Sequence, residues 1–301
     1  MASIEMTANW PNATTLRGIN DVIFDKWQER SAVGRMLFNV EESTQYREHE
    51  LTAGGVNLMQ QVSEGEQLTY LSNNEGFLQT YTHLDYANGF RVTRRMYRDE
   101  LYGIMEKLAA ELSMSADATE ETILANHLNR AQNSSYTGAD GVELSSAAHV
   151  REDGTTYSNE LSSAADLSQT SLEQAFIDFS DFRSGGGRRL AIPPKCLVVA
   201  PEEGFNADRI LNSRQMPEDN TNAINPLQGK VDVVVWHYLT DADQCFLMAD
   251  KDQHSLKLFT REEFWTDYEY DFDTSDYKVK GAFAQSSGWS DPKGVFCIQG
   301  V

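Results

Sequence analysis

From Thr93 to Gln132, apolar residues recur at spacings of three and four, and no Pro interrupts the run. Leu101, Ile104, Met105, Leu108 and Leu112 form one set; Ile123, Leu124 and Leu128 continue it. This spacing predicts a long helix with one buried face over 93–132. Thr93 is the candidate N-cap, because its hydroxyl can accept a backbone N–H of the first turn. At about 1.5 Å per residue the helix is a rod of about 55–60 Å. Its weak point is Ser113–Thr119, where Ser and Asp side chains compete for backbone hydrogen bonds.

The flanking segments have other periods. Leu16, Ile19, Val22, Ile23 and Trp27 predict a short amphipathic helix over 16–30, behind a polar arm containing Pro11. From Arg35 to Val92 apolar residues such as Val40, Tyr46, Leu58, Leu68, Tyr70 and Phe77 are scattered among polar ones. Turn signals at Gly54-Gly55, Ser63-Glu64-Gly65 and Asn73-Asn74-Glu75-Gly76 divide this stretch into long β-ribbons. Its apolar density is too low to close a core, so it is either a loop or a surface that lies on something else. Asn133–Asp166 is rich in Ser, Gly, Asn and Asp and reads as loop with short strands, a length that usually serves function or a partner.

The second half alternates. Ser168–Arg183 is a predicted helix with Ser168 and Ser171 as candidate N-caps, ended by Gly185–Gly187. Cys196–Ala200 is a strand, Asn206–Ser213 a helix and Arg214–Gly229 a polar loop. Val231–Leu239 and Cys245–Ala249 are strands joined by Thr240–Asp243. In the strand region Glu262–Ala284, Asp267, Glu269, Asp271 and Asp273 alternate with Tyr268, Tyr270 and Phe272, which puts carboxylates on one face and aromatics on the other. Lys278 and Lys280 are placed to pair with the carboxylates across a hairpin. Val295–Ile298 is a last strand. The expected fold class is α+β.

Composition narrows the function. A hydrophobic share of 40% over 301 residues is enough for a sizeable core. The net charge of −21 disfavours a protein that wraps nucleic acid, since phosphate binding needs a basic surface. Cys196, Cys245 and Cys297 show no CxxC spacing and read as reduced thiols. The amino terminus has neither the basic nor the apolar region of a signal peptide, and no apolar run approaches the ~20 residues of a membrane span. The histidines are scattered away from metal-ligand spacing. Asp271-x-Asp273-x-Ser275 resembles the opening of a calcium loop, but Asp276 stands at the Gly position and Ala282 at the closing Glu position. Gly185–Gly187 with Arg188-Arg189 follows a helix rather than opening one, the wrong order for a phosphate cradle. No nucleophile motif is present. These observations leave no catalytic residue, no cofactor-binding residue and no metal ligand to name.

An ordered series of short matches carries a resemblance. Gly89-Phe-Arg-Val-Thr-Arg-Arg95 and Glu100-Leu-Tyr-Gly103 enter the long helix, and Leu128-Asn129-Arg130-Ala131 closes it. Asp140-Gly141-Val-Glu-Leu144, His149, Asn159, Leu161-Ser162 and Ser171-Leu172 follow. Pro194-Lys-Cys-Leu-Val-Val199, Asn222, Asn225-Pro226-Leu227, Tyr238-Leu-Thr-Asp241, Lys278-Val-Lys-Gly281 and Gly288-Trp289 through Gly294 complete the series. Together, over about residues 16–301, they resemble the major capsid protein of tailed double-stranded DNA bacteriophages, in its Mu-like branch; encapsulin shells share the fold.

The resemblance implies an N-terminal arm (1–42), an E-loop β-hairpin (43–88), a P-domain (89–167 and 256–287) with the spine helix 93–132, and an A-domain (168–255 and 288–301). It implies pentamers and hexamers forming an icosahedral head, assembled in the host bacterial cytoplasm. Scaffolding, portal and decoration proteins would be partners. The shell would enclose DNA without sequence-specific binding and without a membrane. Trp27, Leu68, Tyr70 and Phe77 are the candidate inter-subunit contacts, and removing residues 1–30 is expected to impair shell formation more than folding. Residues 43–88 contain no Lys, so the lysine cross-link of some relatives is not expected. The arm begins close to Met1, which implies a separate scaffold. An encapsulin-like compartment is the alternative within the fold, and a calcium-dependent hydrolase or binding module the alternative outside it.

Overall fold

The computed structural model describes residues 13–29, 33–53, 55, 58–59, 61–67, 70, 75–99, 103–215 and 223–300. The chain opens with helices α1 (Ala13–Gln28) and α2 (Val33–Leu37), then strands β1 (Asn39–Glu42), β2 (Arg47–Ala53), β3 (Glu75–Thr82) and β4 (Leu84–Thr93). Helices α3 (Arg94–Arg98) and α4 (Ile104–Asn129) lead to β5 (His149–Val150), β6 (Thr156–Tyr157) and α5 (Gln169–Phe179). Next come β7 (Pro194–Val199), α6 (Gly204–Asn212), β8 (Asp232–Val235) and β9 (Cys245–Ala249). Two long strands, β10 (Leu256–Asp271) and β11 (Asp276–Trp289), precede β12 (Val295–Ile298).

One sheet has the order β1-β10-β11-β4. Strand β1 runs parallel to β10, and the other pairs are antiparallel. The inner face of this sheet carries Phe264, Tyr277, Val279 and Phe283, which pack with Val92 against Ile23 and Trp27 of α1 and Met105, Ala109, Leu112 and Ala116 of α4. Gly281 makes this closure possible. A Cβ there would lie 2.7 Å from the Phe264 ring and 3.3 Å from Leu112.

The second sheet has the order β12-β9-β7-β8 and is buried on both faces. Side chains alternate between the faces with the period of a strand. Cys196, Val198, Phe246, Met248 and Cys297 meet Leu124, Ala125 and Leu128 of α4. Leu197, Val199, Leu247, Phe296 and Ile298 meet Leu172 and Phe179 of α5 and Ile210 and Leu211 of α6. Strand β7 lies between β8 and β9, so the two strands read from 231–249 do not pair with each other.

Several expectations are corrected. Thr93 does cap a helix, its Oγ1 accepting from Met96 N at 3.2 Å, but that helix is α3 and stops at Arg98. Gly103 takes a left-handed φ of 61°, which cannot continue an α-helix, and α4 starts from there. The single rod over 93–132 is therefore two helices. The supposed weak point 113–119 lies within unbroken α4. Within it Thr119 turns its hydroxyl back on the helix, donating to Ser115 O at 2.7 Å, and Ser115 Oγ accepts from Asn88 Nδ2 of β4 at 3.2 Å. Helix α5 ends at Phe179 rather than Arg183. Its N-terminus follows the sequence, with Ser168 and Ser171 forming a reciprocal capping box.

Substituting Gly281→Ala should destabilise the subunit by about 1–3 kcal/mol through overpacking against Phe264 and Leu112, read by denaturant unfolding.

Candidate assembly surface

Strands β2 and β3 form an antiparallel hairpin in which Arg47 faces Thr82 and Leu51 faces Leu78. A register irregularity follows Leu51, and Gly76 sits there because a Cβ would lie 1.5 Å from Thr52 O. The hairpin root is fastened by charge and by hydrogen bonds. Lys257 Nζ lies 3.0 Å from both Glu41 and Glu50. Tyr81, buried against Phe259 with ring centroids 5.0 Å apart, donates to Glu50 at 3.3 Å. Ser43 donates to Glu48, so the consistent arrangement has His83 Nε2–H donating to Ser43 and Nδ1 accepting from Ser286, each at 3.0 Å. Burial pushes the His83 pKa down, as a neutral bridging imidazole requires.

Beyond the root the hairpin keeps its apolar side chains in solvent. Leu51 and Leu78 are exposed as a cross-strand pair; Leu58 and Met59 are exposed, and Tyr70 is 85% exposed. Phe205 in the first turn of α6 and Ile224 beyond its far end are also exposed. The β10–β11 tip is another such place, where Tyr268 and Tyr270 lead to exposed Phe272. Large apolar side chains left in solvent, such as the Leu51–Leu78 pair, are candidates for a surface that another protein covers.

The four candidate contact residues fall differently. Tyr70 is open to solvent. Phe77 is half-buried and, with Thr52, faces Tyr157, Pro292 and Lys293 of its own subunit across a small cavity. Leu68 lies outside the described residues. Trp27 is buried, its ring 4.8 Å from that of Phe264. With Ile23 it completes the core of the first sheet, so removing residues 1–30 would strip part of that core and impair folding as well as assembly.

The acidic alternation also has an internal use. Asp267 and Glu269 sit opposite Lys280 and Lys278 in the register of β10 with β11. Asp271 pairs with Lys278 Nζ at 3.1 Å and accepts from the N–H groups of Asp273 and Thr274, closing the turn. Lys280 lies 4.7 Å over the ring of Trp265. The Asp271 oxygens that would open a calcium loop are thus committed to the hairpin. Among the described residues no group of His, Cys, Asp and Glu is arranged to hold a metal, and no helix is long and apolar enough to cross a membrane. Cys196, Cys245 and Cys297 are free and buried, and burial pushes their pKa values up to about 11, 12 and 12, which keeps them as thiols.

A polar cluster with no sequence signature ties α2 to α4. Glu120 and Glu121 are both buried. Arg35 grips Glu120 through Nε at 2.5 Å and Nη2 at 2.9 Å and reaches Glu263 at 3.3 Å. Burial opposes the Arg35 charge, but Glu120 and Glu263 outweigh it and hold the guanidinium protonated. Glu121 accepts from Gly34 N at 3.0 Å and Trp236 Nε1 at 2.6 Å. Only the spacing of Arg35 from an acidic pair 85 residues on would reveal this, and no local pattern encodes it. Replacing Arg35 by Ala should cost about 3–5 kcal/mol, because Glu120 is left buried without its cation; equilibrium unfolding measures it.

The comparisons with known proteins agree with this architecture. A family profile described as phage capsid protein matches residues 78–298, which span β3 to β12. No curated protein matches the chain in sequence. Among solved structures, the mature capsid of bacteriophage PhiM1 aligns at a TM-score of 0.62 and 10% identity, covering 88% of this chain and 86% of that one. The capsid of cyanophage P-SCSP1u aligns at 0.61 and 8% identity, covering 90% and 89%. A virus-like particle from Pyrococcus furiosus aligns at 0.55 and 10% identity, covering 94% and 98%. The two sheets, the long helix and the hairpin are therefore the tailed-phage major capsid fold, and the chain belongs to the phage capsid protein family.

Proposed function

We propose that this chain is the major head subunit of a tailed bacteriophage, of the Mu-like branch. It builds pentamers and hexamers that close into an icosahedral shell around double-stranded DNA. The family match over 78–298 carries this reading. The exposed apolar side chains at the hairpin, at α6 and at the β10–β11 tip support it, because they are the surface a closed shell covers. The proposed division is an arm over 1–42, an E-loop over 43–88, a P-domain over 89–167 and 256–287, and an A-domain over 168–255 and 288–301. Scaffolding, portal and decoration proteins are the proposed partners, with assembly in the host cytoplasm. The charge of −21 suits a wall that contains DNA and does not grip it.

Met59 and Tyr70 are the proposed hairpin contacts. An encapsulin-like compartment is the second reading, supported by the likeness to the virus-like particle from Pyrococcus furiosus. Particle contents separate the two: packaged DNA in virions for the first, protein cargo for the second.

Negative-stain microscopy with light scattering on the purified chain, with scaffold supplied where needed, should show hollow particles or discrete rings. A monomer that never associates would end the reading. Met59→Ser with Tyr70→Ser should leave subunit stability within about 0.5 kcal/mol, since both side chains are in solvent, and should reduce particle yield. Unchanged yield would remove these two residues from the interface.

A further inference from the structure

Between the root of the hairpin and the last turns of α4 lies a cleft of about 430 Å³. Strand β3, the start of β4, the end of β11 and residues 136–137 complete its wall. Gly138 lets that wall close, since a Cβ there would collide with Trp289 Nε1. Leu84, Tyr86 and Ile123 supply apolar lining. Asn126 and Arg130, about a turn apart at the end of α4, add an amide and a guanidinium. Gln285 adds a second amide; it is 2% exposed, and its Nε2 has no hydrogen-bond partner among the described residues. An amide turns about its last bond at small cost, so this donor can be brought to a ligand.

Charge decides what the cleft takes. The chain carries 46 Asp and Glu against 25 Lys and Arg, yet the described residues that line the cleft include no carboxylate and one guanidinium. Glu50, which accepts from Tyr81 in the same wall, is paired with Lys257. His127 is neutral near pH 7, because burial, helped by Arg130, pushes its pKa down to about 4. The carbonyl end of α4 opposes an anion, so the attraction falls to Arg130, whose guanidinium lies 4.4 Å over the Tyr136 ring. We propose that this cleft binds a carboxylate carrying an apolar body, with Arg130 and Asn126 on the carboxylate and Leu84, Tyr86 and Ile123 on the body. A guanidinium offers donors only, which selects an acceptor of negative charge. A cleft of this size with apolar and polar lining suits a small organic acid or a short acidic peptide.

The test uses the full, unassembled chain, so it is independent of shell formation. Two acids, 3-phenylpropionate and a capped Phe-Glu dipeptide, are titrated beside their neutral counterparts, 3-phenylpropionamide and a capped Phe-Gln dipeptide, with binding read by NMR. At least one acid should bind about fivefold or more tighter than its neutral counterpart, the scale of a charge-assisted hydrogen bond at a cleft rim. Its binding should move the imidazole signals of His127, which lines the cleft, and Arg130→Gln should remove the preference for the acid. Tighter binding of the dipeptide assigns the carboxylate to a peptide, and tighter binding of phenylpropionate assigns it to a small acid. Failure of both acids to bind, equal affinity for acid and neutral forms, or unmoved His127 signals overturns the proposal. An acid preference that survives in Arg130→Gln overturns it too. The comparison of acid with amide and the His127 signals need no variant, so the outcome stands even if Arg130→Gln does not fold.

Discussion

Helix α4 is a wall shared by two hydrophobic cores, and the subunit depends on it. Its first half gives Met105, Ala109, Leu112 and Ala116 to the core under the first sheet. Its second half gives Leu124, Ala125 and Leu128 to the core against the second sheet. Between the halves stand Glu120 and Glu121, which receive α2. One rigid element thus fixes the two sheets relative to each other, and the polar pair marks the change from one core to the next. A helix with a single apolar stripe would serve only one sheet.

The same arrangement explains what is left outside. The cores are filled by α1, α4, α5, α6 and the sheets, while the hairpin β2–β3 is fastened at its root by Lys257, Tyr81 and His83. The outer hairpin, Phe205 and Phe272 have no core of their own to enter. In the proposed shell their burial is recovered between copies, where apolar area removed from water contributes roughly 25 cal/mol per Å².

Much of this was legible in the sequence. Strand β12, the Ser168 cap of α5 and the alternation of carboxylates with aromatics on β10 follow from local patterns and appear as read. What failed was context. The Ser-rich stretch 113–119 remains helical because Ser113 and Ala116 are buried and Thr119 turns its hydroxyl back on the helix, neither of which propensity reveals. Trp27 reads equally well as an interface anchor or a core residue, and only Phe264, far along the chain, decides for the core. The Arg35–Glu120 and Glu121–Trp236 contacts join residues more than 80 positions apart and leave no periodic trace. The contact residues of an assembly are the least legible, because their partners are on another copy.

A cryo-electron microscopy map of assembled particles, refined at the hairpin, tests the central claim most directly. Met59 and Tyr70 should lie beneath a neighbouring copy while the root contacts of Lys257 and Tyr81 persist. Closed particles in which the hairpin lies in solvent, touching no other copy, would contradict it.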